Sequence, residues 1–226
     1  MSIELIKRII TSVFLIILLS LVFVYNYLLI ITLIIISIIT WIEFYGLIVK
    51  IFAKNSFKVN FLKVFIKGIS LIYLSLFSVL IFDGITETDH NFKINMAYLF
   101  SICICSDIGG LFFGKTFKGR KLTRISPNKT ISGSIGSFIL SMLLAPIFYL
   151  YFDQFSMFYN LIFISIIVSL LCQLGDLFIS YLKRKAKVKD TGDLLPGHGG
   201  VLDRIDGMLF ALPVGIIYWK YILILT

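Results

Sequence analysis

Charge is scarce in this chain of 226 residues: only 15% of the residues are charged, whereas 59% are hydrophobic and the mean hydropathy is +1.00. A soluble domain of this length could not bury so much apolar surface in one core. The composition therefore excludes an ordinary soluble protein and predicts that most of the chain lies in lipid. Runs such as "IIISIITWIEFYGLIV" lack the strict alternation of barrel strands, which leaves helices as the means of satisfying the backbone.

Other signals are missing as well. The three cysteines lie inside apolar segments without the spacing of a disulfide framework or a zinc site, so we interpret them as packing residues. No small-residue cleavage site follows the first apolar stretch, which predicts a retained first helix. There is no internal repeat, low-complexity linker or second soluble domain. We therefore expect a single integral-membrane domain over 1–226, with N-terminal spans in 1–93 and the catalytic spans and cytoplasmic loops in 94–226.

Polar interruptions divide the chain into seven predicted spans, and the predicted fold class is an all-α, polytopic transmembrane helical bundle. The third span is short, and the amphipathic stretch "NFLKVFIKGIS" before it offers an extension. The predicted spans cover residues 9–25, 28–49, 68–82, 94–114, 131–151, 158–182 and 205–225.

The 21 lysines and arginines indicate the orientation of these spans. If the N-terminus is cytoplasmic, 19 of them fall on the cytoplasmic side and only Lys93 and Lys220 fall outside. This asymmetry is typical of the positive-inside bias and favours an odd number of spans. The net charge of +9 would then attract anionic headgroups or the phosphates of a nucleotide, and no nucleic-acid partner is expected. The basic residues of 50–67 are equally explained as topology determinants alone.

Acidic residues within or near spans are functional candidates, because a charge in lipid is costly. Glu43, Asp107 and Asp176 are of this kind. Asp107 shares a helix face with Gly110 and Gly114, where small residues would let another helix or a ligand approach. Asp176 is followed by Ser180 one turn on and Lys183 two turns on, along a face that leads to the cytoplasm.

The most polar stretch of the chain is "KDTGDLLPGHGGVLDRIDG", from Lys189 to Gly207. If the last helix begins after Gly200, Asp203 and Asp206 lie on its first turn, where acids compensate the helix dipole. The alternative is that Asp203 and Asp176 bind Mg²⁺, which takes few carboxylates and also binds substrate phosphates. The glycines would permit close approach to phosphates, and Asp190 and Asp193 are also explained as turn residues.

A second basic loop, "GKTFKGRKLTRISPNKTISGSIGS", runs from Gly114 to Ser137. Its lysines and arginines can neutralise phosphate groups. Thr130 or Ser132 could cap the following helix and present free N–H groups to an anion. The pattern favours a phosphorylated substrate.

The stretch "SYLKRKAKVKDTGDLLPGHGGVLDRID", residues 180–206, resembles the signature of phosphatidate cytidylyltransferases, also called CDP-diacylglycerol synthases. "SDIGGLFFGKTFKGRKL" and "SPNKTISGSIGS" are similar to two further blocks of that family, although Ser132 stands where the family usually has Glu. The resemblance covers residues 100–210. It implies transfer of CMP from CTP to phosphatidate in a Mg²⁺-dependent membrane homodimer, with a dimetal centre of Mg²⁺ and a monovalent cation such as K⁺ at Asp176 and Asp203.

For that reaction we predict roles for other residues as well. Phosphate oxygens would be neutralised by Lys183, Arg184, Lys189, Arg204 and Lys129. Asp190 and Asp206 would hold these basic groups or support the metal ligands, and His198 would orient the loop or bind phosphate. The expected substrate-binding set is Asp107, Lys129, Ser126, Thr130, Ser180, Gly199 and Gly200.

Two other functions remain open at this point. A CTP-dependent polyprenol or phytol kinase would transfer the γ-phosphoryl group to a lipid alcohol, and a transporter would use Asp107 and Asp176 as intramembrane carboxylates. The Asp-Gly-x-x-Ala-Arg pattern of CDP-alcohol phosphatidyltransferases is missing from the sequence. The expected location is a bacterial inner membrane, with the active site on the cytoplasmic side.

Overall fold

The computed structural model describes residues 3–53, 56–87, 90–123, 125–151, 155–194 and 199–225. Within these ranges the chain is helical with no β-strand, apart from one isolated bridge between Lys121 and Thr130. The all-α prediction is confirmed. The helices are α1 (Ile3–Val24), α2 (Asn26–Ile51), α3 (Phe57–Thr86), α4 (His90–Phe117), α5 (Ile131–Met142), α6 (Ala145–Tyr149), α7 (Phe155–Lys185) and α8 (Leu202–Leu225).

Most of these helices are long and apolar enough to cross a membrane. Five segments meet that condition: α2, α3, most of α4, α5 together with α6, and most of α7. Helices α1 and α8 contain 22 and 24 residues, and about 20 residues span the hydrocarbon core. They coincide with the first and last predicted spans, so the chain is an integral membrane protein with about seven spans.

Two predicted spans differ from the structure in their bounds. The third was predicted as 68–82 after a loop at 50–67, but α3 begins at Phe57 and has 30 residues. Its extra turns are amphipathic, and lysine side chains there can reach polar surroundings while their stems stay on the helix. The fifth, predicted as 131–151, is divided because α5 ends at Met142 and α6 begins at Ala145, with Pro146 in its first turn. Proline suits that position because it has no N–H to donate.

The described residues form two compact units. The first contains residues 1–82 and 182–205, and in it α1 packs against α2. The hydroxyls of Ser37 and Ser78 join α2 to α3 at 2.6 Å. Lys67 of α3 extends its Nζ over the rings of both Trp41 and Tyr45, 4.8 Å from each centroid, and Trp41 Nε1 donates to the Lys67 carbonyl at 3.1 Å. This aromatic clamp offsets part of the cost of an ammonium group among apolar helices.

The second unit contains residues 83–181 and 206–226, and its helices are joined by buried hydroxyl groups. Tyr98 of α4 donates to the Leu161 carbonyl at 3.0 Å and lies 2.5 Å from Ser165 Oγ. Ser106 and Ser169 are 3.0 Å apart. Small polar side chains let membrane helices approach closely and hydrogen bond to each other.

Helix α5 lies against the glycine face of α4. A Cβ atom added to Gly110 would come within 2.9 Å of Ser137 Oγ, and one added to Gly114 would come within 3.1 Å of Thr130 Oγ1. The sequence left open whether a helix or a ligand approaches these glycines. The structure shows that a helix does.

Candidate active site

The polar segment between α7 and α8 contains five of the predicted site residues: Lys189, Asp190, His198, Gly199 and Gly200. Helix α7 ends at Lys185, and Lys187 then adopts a left-handed conformation with φ 56°, which is a common way to stop a helix. Helix α8 begins at Leu202, as the position of Gly200 predicted. The described residues between them, 186–194 and 199–201, contain no helix, and we call the segment 186–201 the signature loop. His198 lies outside the described residues.

Both carboxylate oxygens of Asp203, in the first unit, accept hydrogen bonds. Its Oδ1 accepts a hydrogen bond from Lys183 Nζ at 2.6 Å. Its Oδ2 is near three donors, the backbone N–H of Thr191 at 2.8 Å, the Thr191 hydroxyl at 3.0 Å and the N–H of Gly200 at 3.1 Å. The side chains of Asp203 and Lys183 are only 5% and 16% exposed. Thr191 and Gly200 of the signature loop thus both bind the carboxylate of Asp203.

These contacts set the charge state of Asp203, which precedes the predicted span at 205–225. Burial raises its pKa, but the hydrogen bond from Lys183, the N–H groups of Thr191 and Gly200 and the lysine charge lower it. The net pKa is below the ordinary value for aspartate, because bonds to the ionised form favour it. Asp203 is therefore ionised at neutral pH.

Glu43 of α2 also binds the signature loop. Its Oε1 accepts from the N–H of Val201 at 3.1 Å, and its Oε2 accepts from the N–H of Leu202 at 2.8 Å. The Thr191 hydroxyl lies 2.9 Å from the same Oε2. The sequence singled out Glu43 as an acid in a span but predicted no role for it. Its partners are about 150 residues away along the chain, and no local pattern encodes such a contact.

Asp176 belongs to the second unit and pairs with a different lysine. It forms an ion pair with Lys129 through Oδ2, and Ser180 Oγ donates to its Oδ1 at 3.2 Å. The side chains of Lys129 and Asp176 are 26% and 33% exposed. The predicted neighbour at Ser180 is confirmed, and the basic loop before α5 supplies the counter-charge.

That basic loop is held in a short hairpin-like turn. Leu122 N–H donates to the Lys129 carbonyl at 2.8 Å, and Lys129 N–H donates to the Ser126 carbonyl at 3.1 Å. Thr130 Oγ1 accepts from Gly133 N–H at 3.1 Å, so Thr130 is the N-cap of α5, one of the two predicted alternatives. Ser132, which replaces the family's usual Glu, donates to the Lys118 carbonyl.

The other predicted residues have the following positions. Asp206 is buried, and its Oδ1 accepts from the N–H of Gly207 at 2.8 Å. Gly199 has φ +79°, and a Cβ atom there would come within 3.3 Å of Asp190. Five of the predicted residues are exposed: Asp107, Arg184, Lys189, Asp190 and Arg204.

The chemistry of the two predicted metal ligands fits Mg²⁺. Asp176 and Asp203 each present a carboxylate that already holds an ammonium group, so each is a place where a cation is stabilised. Across the described ranges, no three His, Cys, Asp or Glu side chains converge to hold a metal. Mg²⁺ suits such a sparse donor set, because it keeps waters and takes one or two carboxylates together with substrate phosphates.

Comparison with known proteins relates these residues to a family. Residues 2–222 match the model of the cytidylyltransferase family. Phosphatidate cytidylyltransferase of Bacillus subtilis (strain 168) is 43% identical over 122 residues, which are 52% of this chain and 45% of the relative. The Staphylococcus haemolyticus (strain JCSC1435) protein of the same name is 46% identical over 119 residues, with the same two shares. That of Rickettsia prowazekii (strain Madrid E) is 43% identical over 144 residues, 61% of this chain and 62% of the relative.

The match to the first two relatives thus spans about half of their length. The family model, by contrast, covers nearly all of this chain, from the first helix to the last. On that ground, the chain belongs to the cytidylyltransferase family.

Proposed function

We propose that this protein transfers CMP from CTP to phosphatidate and releases pyrophosphate. Support comes from relatives at 43–46% identity that are named phosphatidate cytidylyltransferase. The observation that carries the proposal is the acidic and basic set of residues 180–206, in which the loop backbone and Lys183 converge on the ionised Asp203.

The reaction needs no protein nucleophile. An oxygen of the phosphatidate phosphate, already anionic near neutral pH, forms a bond to the α-phosphorus of CTP. The bond from that phosphorus to the oxygen bridging it to the β-phosphate breaks, and the electron pair leaves with pyrophosphate. The main obstacle is the repulsion between two anions, so the expected contribution of the protein is positioning and charge neutralisation.

The basic residues of the site match that task. Lys183 is held by Asp203 and Lys129 by Asp176, so both ammonium groups have fixed positions before substrate binds. Arg184, Lys189 and Arg204 are exposed and can reach phosphate oxygens, where arginine forms bidentate pairs. We assign His198 to the orientation of the loop or to phosphate binding, and Asp190 and Asp206 to holding the basic groups.

A divalent cation completes the proposal. Asp176 and Asp203 are the residues that would hold Mg²⁺, with K⁺ as the second ion, an assignment that follows the family resemblance. When bound, Mg²⁺ supplies Lewis-acid stabilisation of charge on the transferred phosphate. A homodimer in a bacterial inner membrane, with the site on the cytoplasmic side, likewise follows from the resemblance and the charge asymmetry.

Two differently labelled nucleotides test the proposal against its rivals. Purified protein in detergent micelles is given CTP labelled on either the α- or the γ-phosphate, together with phosphatidate or a polyprenol. Cytidylyl transfer puts the α-label into lipid and the γ-label into pyrophosphate. A lipid kinase would put the γ-label into lipid and release CDP, and a transporter would label no lipid. Either of the last two results would overturn the proposal.

A further inference from the structure

Three successive backbone N–H groups, at the end of the signature loop and the first residue of α8, all bind carboxylates. Gly200 N–H donates to Asp203, whereas Val201 N–H and Leu202 N–H donate to Glu43. The first amides of a helix lack partners within the helix, and an anion there is favoured by the helix dipole. Here one of those anions comes from α2, a membrane helix elsewhere in the sequence.

Thr191 connects the two carboxylates. Its hydroxyl oxygen lies 2.9 Å from Glu43 Oε2 and 3.0 Å from Asp203 Oδ2, and its backbone N–H donates to Asp203. A hydroxyl has one hydrogen, so it can donate to only one of the two acids at a time. A change in the charge of Glu43 therefore alters the hydrogen bonding of Asp203 through Thr191.

Two glycines of the loop lie against the Glu43 carboxylate at distances that leave no room for a Cβ atom in the present arrangement. A Cβ atom on Gly192 would lie 2.7 Å from Glu43 Oε1. One on Gly200 would collide with both Glu43 Oε2 and Thr191 Oγ1. These glycines thus have a use beyond the approach of substrate phosphates, because they admit a carboxylate from the protein itself.

We infer that Glu43 is a positioning residue that fixes the signature loop and, through Thr191, the orientation of the Asp203 carboxylate. The inference rests on the proposed function, because Asp203 matters to catalysis only if that proposal holds. Glu43 acts on the loop backbone and on Thr191, so it is not itself a catalytic residue. Partners that orient a ligating carboxylate affect activity by about 10- to 100-fold in known sites.

Anchoring of the Val201 and Leu202 amides requires the negative charge of the Glu43 carboxylate as well as the length of its side chain. A glutamine would keep the length of the side chain, but its NH₂ group would face an N–H donor at Val201 or Leu202. Bonds from N–H groups to an ionised acceptor are also stronger than those to a neutral one. Glu43→Gln should therefore release the start of α8 without creating a cavity.

The test uses the full chain in detergent micelles, with Glu43→Gln, Thr191→Val, the double variant and Thr191→Ser. Glu87→Gln, the same change beyond the end of α3, is the matched control. For Glu43→Gln we expect kcat to fall about 10- to 100-fold while KM for CTP changes by less than about threefold. Thr191→Ser, which keeps the hydroxyl, should retain activity. The double variant should lose much less than the product of the single losses, because both act through one network.

Hydrogen exchange supplies a readout that is independent of activity. The amides of Val201 and Leu202 should exchange faster in Glu43→Gln than in the wild type, and Glu87→Gln should leave them unchanged. If wild-type protein makes no CDP-diacylglycerol but this exchange result holds, the proposed function fails while the anchoring by Glu43 stands. Unchanged exchange, or losses that multiply in the double variant, would overturn the inference.

Discussion

Removing the charge of Asp203 should destabilise the protein, and removing Lys183 as well should cost less stability than the two single losses added together, without restoring activity. The Lys183–Asp203 pair is 2.6 Å long, and its side chains are 16% and 5% exposed. Asp203→Asn leaves a largely buried ammonium without its counter-charge, at a cost of about 2–4 kcal/mol. Lys183→Met is milder, about 1–2 kcal/mol, because Asp203 keeps its contacts with Thr191 and Gly200.

The double variant contains neither charge. Its stability should therefore exceed the value expected from adding the two single losses by about 1–3 kcal/mol, which is the usual range for residues in direct contact. For a chain of this size, 1 kcal/mol corresponds to roughly 2–4 °C in Tm. Asp203→Asn should accordingly lower Tm by on the order of 10 °C, and the double variant should unfold several degrees above the Tm expected from adding the two single losses.

Thermal unfolding in micelles by circular dichroism measures the stability, and transfer of α-labelled CMP to phosphatidate measures the activity. Asp83→Asn is the matched control, because the Asp83–Lys220 pair is 3.7 Å long and 48% and 38% exposed; its loss should change stability by less than about 1 kcal/mol. Single losses that simply add in the double variant would refute the reasoning about the ion pair. Recovery of activity in the double variant would show that Asp203 has only a structural role.

Three further predictions concern the second unit. Asp176→Asn should reduce CMP transfer by more than about 100-fold. It should lower stability by less than about 1 kcal/mol, since the pair of Asp176 with Lys129 is partly exposed. Near-normal turnover in a transfer assay would contradict the assignment of Asp176 as a metal ligand. Thr130→Ala should cost about 1 kcal/mol in thermal unfolding because it removes the N-cap of α5, whereas Thr130→Ser should not, and equal stability of the two variants would argue against the cap. Ser132→Ala should change kcat/KM by no more than about twofold. The reason is that the described hydrogen bonds of Ser132 are to the Lys118 carbonyl and to the Thr130 hydroxyl. A tenfold loss would instead assign Ser132 a part in the chemistry.

Hydropathy predicted the helices well wherever lipid determines the structure. Helix α2 covers Asn26–Ile51 against a predicted span of 28–49, and α7 covers Phe155–Lys185 against 158–182. The ends differ where a helix continues past the apolar core, as α3 does from Phe57. Hydropathy could not predict the break between Met142 and Ala145, because Leu143 and Leu144 continue the apolar run across it.

The site was predictable to the extent that it is local in sequence. Thr130 as an N-cap and Ser180 beside Asp176 follow from helical spacing and side-chain chemistry. The pairing of Lys129 with Asp176 and of Glu43 with the amides of Val201 and Leu202 required the folded chain. The cost of a carboxylate in a span marked Glu43 as important, but only the three-dimensional structure identified its partners.

Glu43 lies between Trp41 and Tyr45, the two rings of the aromatic clamp, so one short segment of α2 contacts both Lys67 and the signature loop. Tilting is one of the ways in which a membrane helix adjusts to the thickness of the hydrocarbon layer. The Glu43 carboxylate moves with α2, whereas the amides of Val201 and Leu202 that it binds belong to a different part of the chain. The arrangement of the signature loop therefore depends on how α2 lies in the membrane as well as on the contacts within the loop itself.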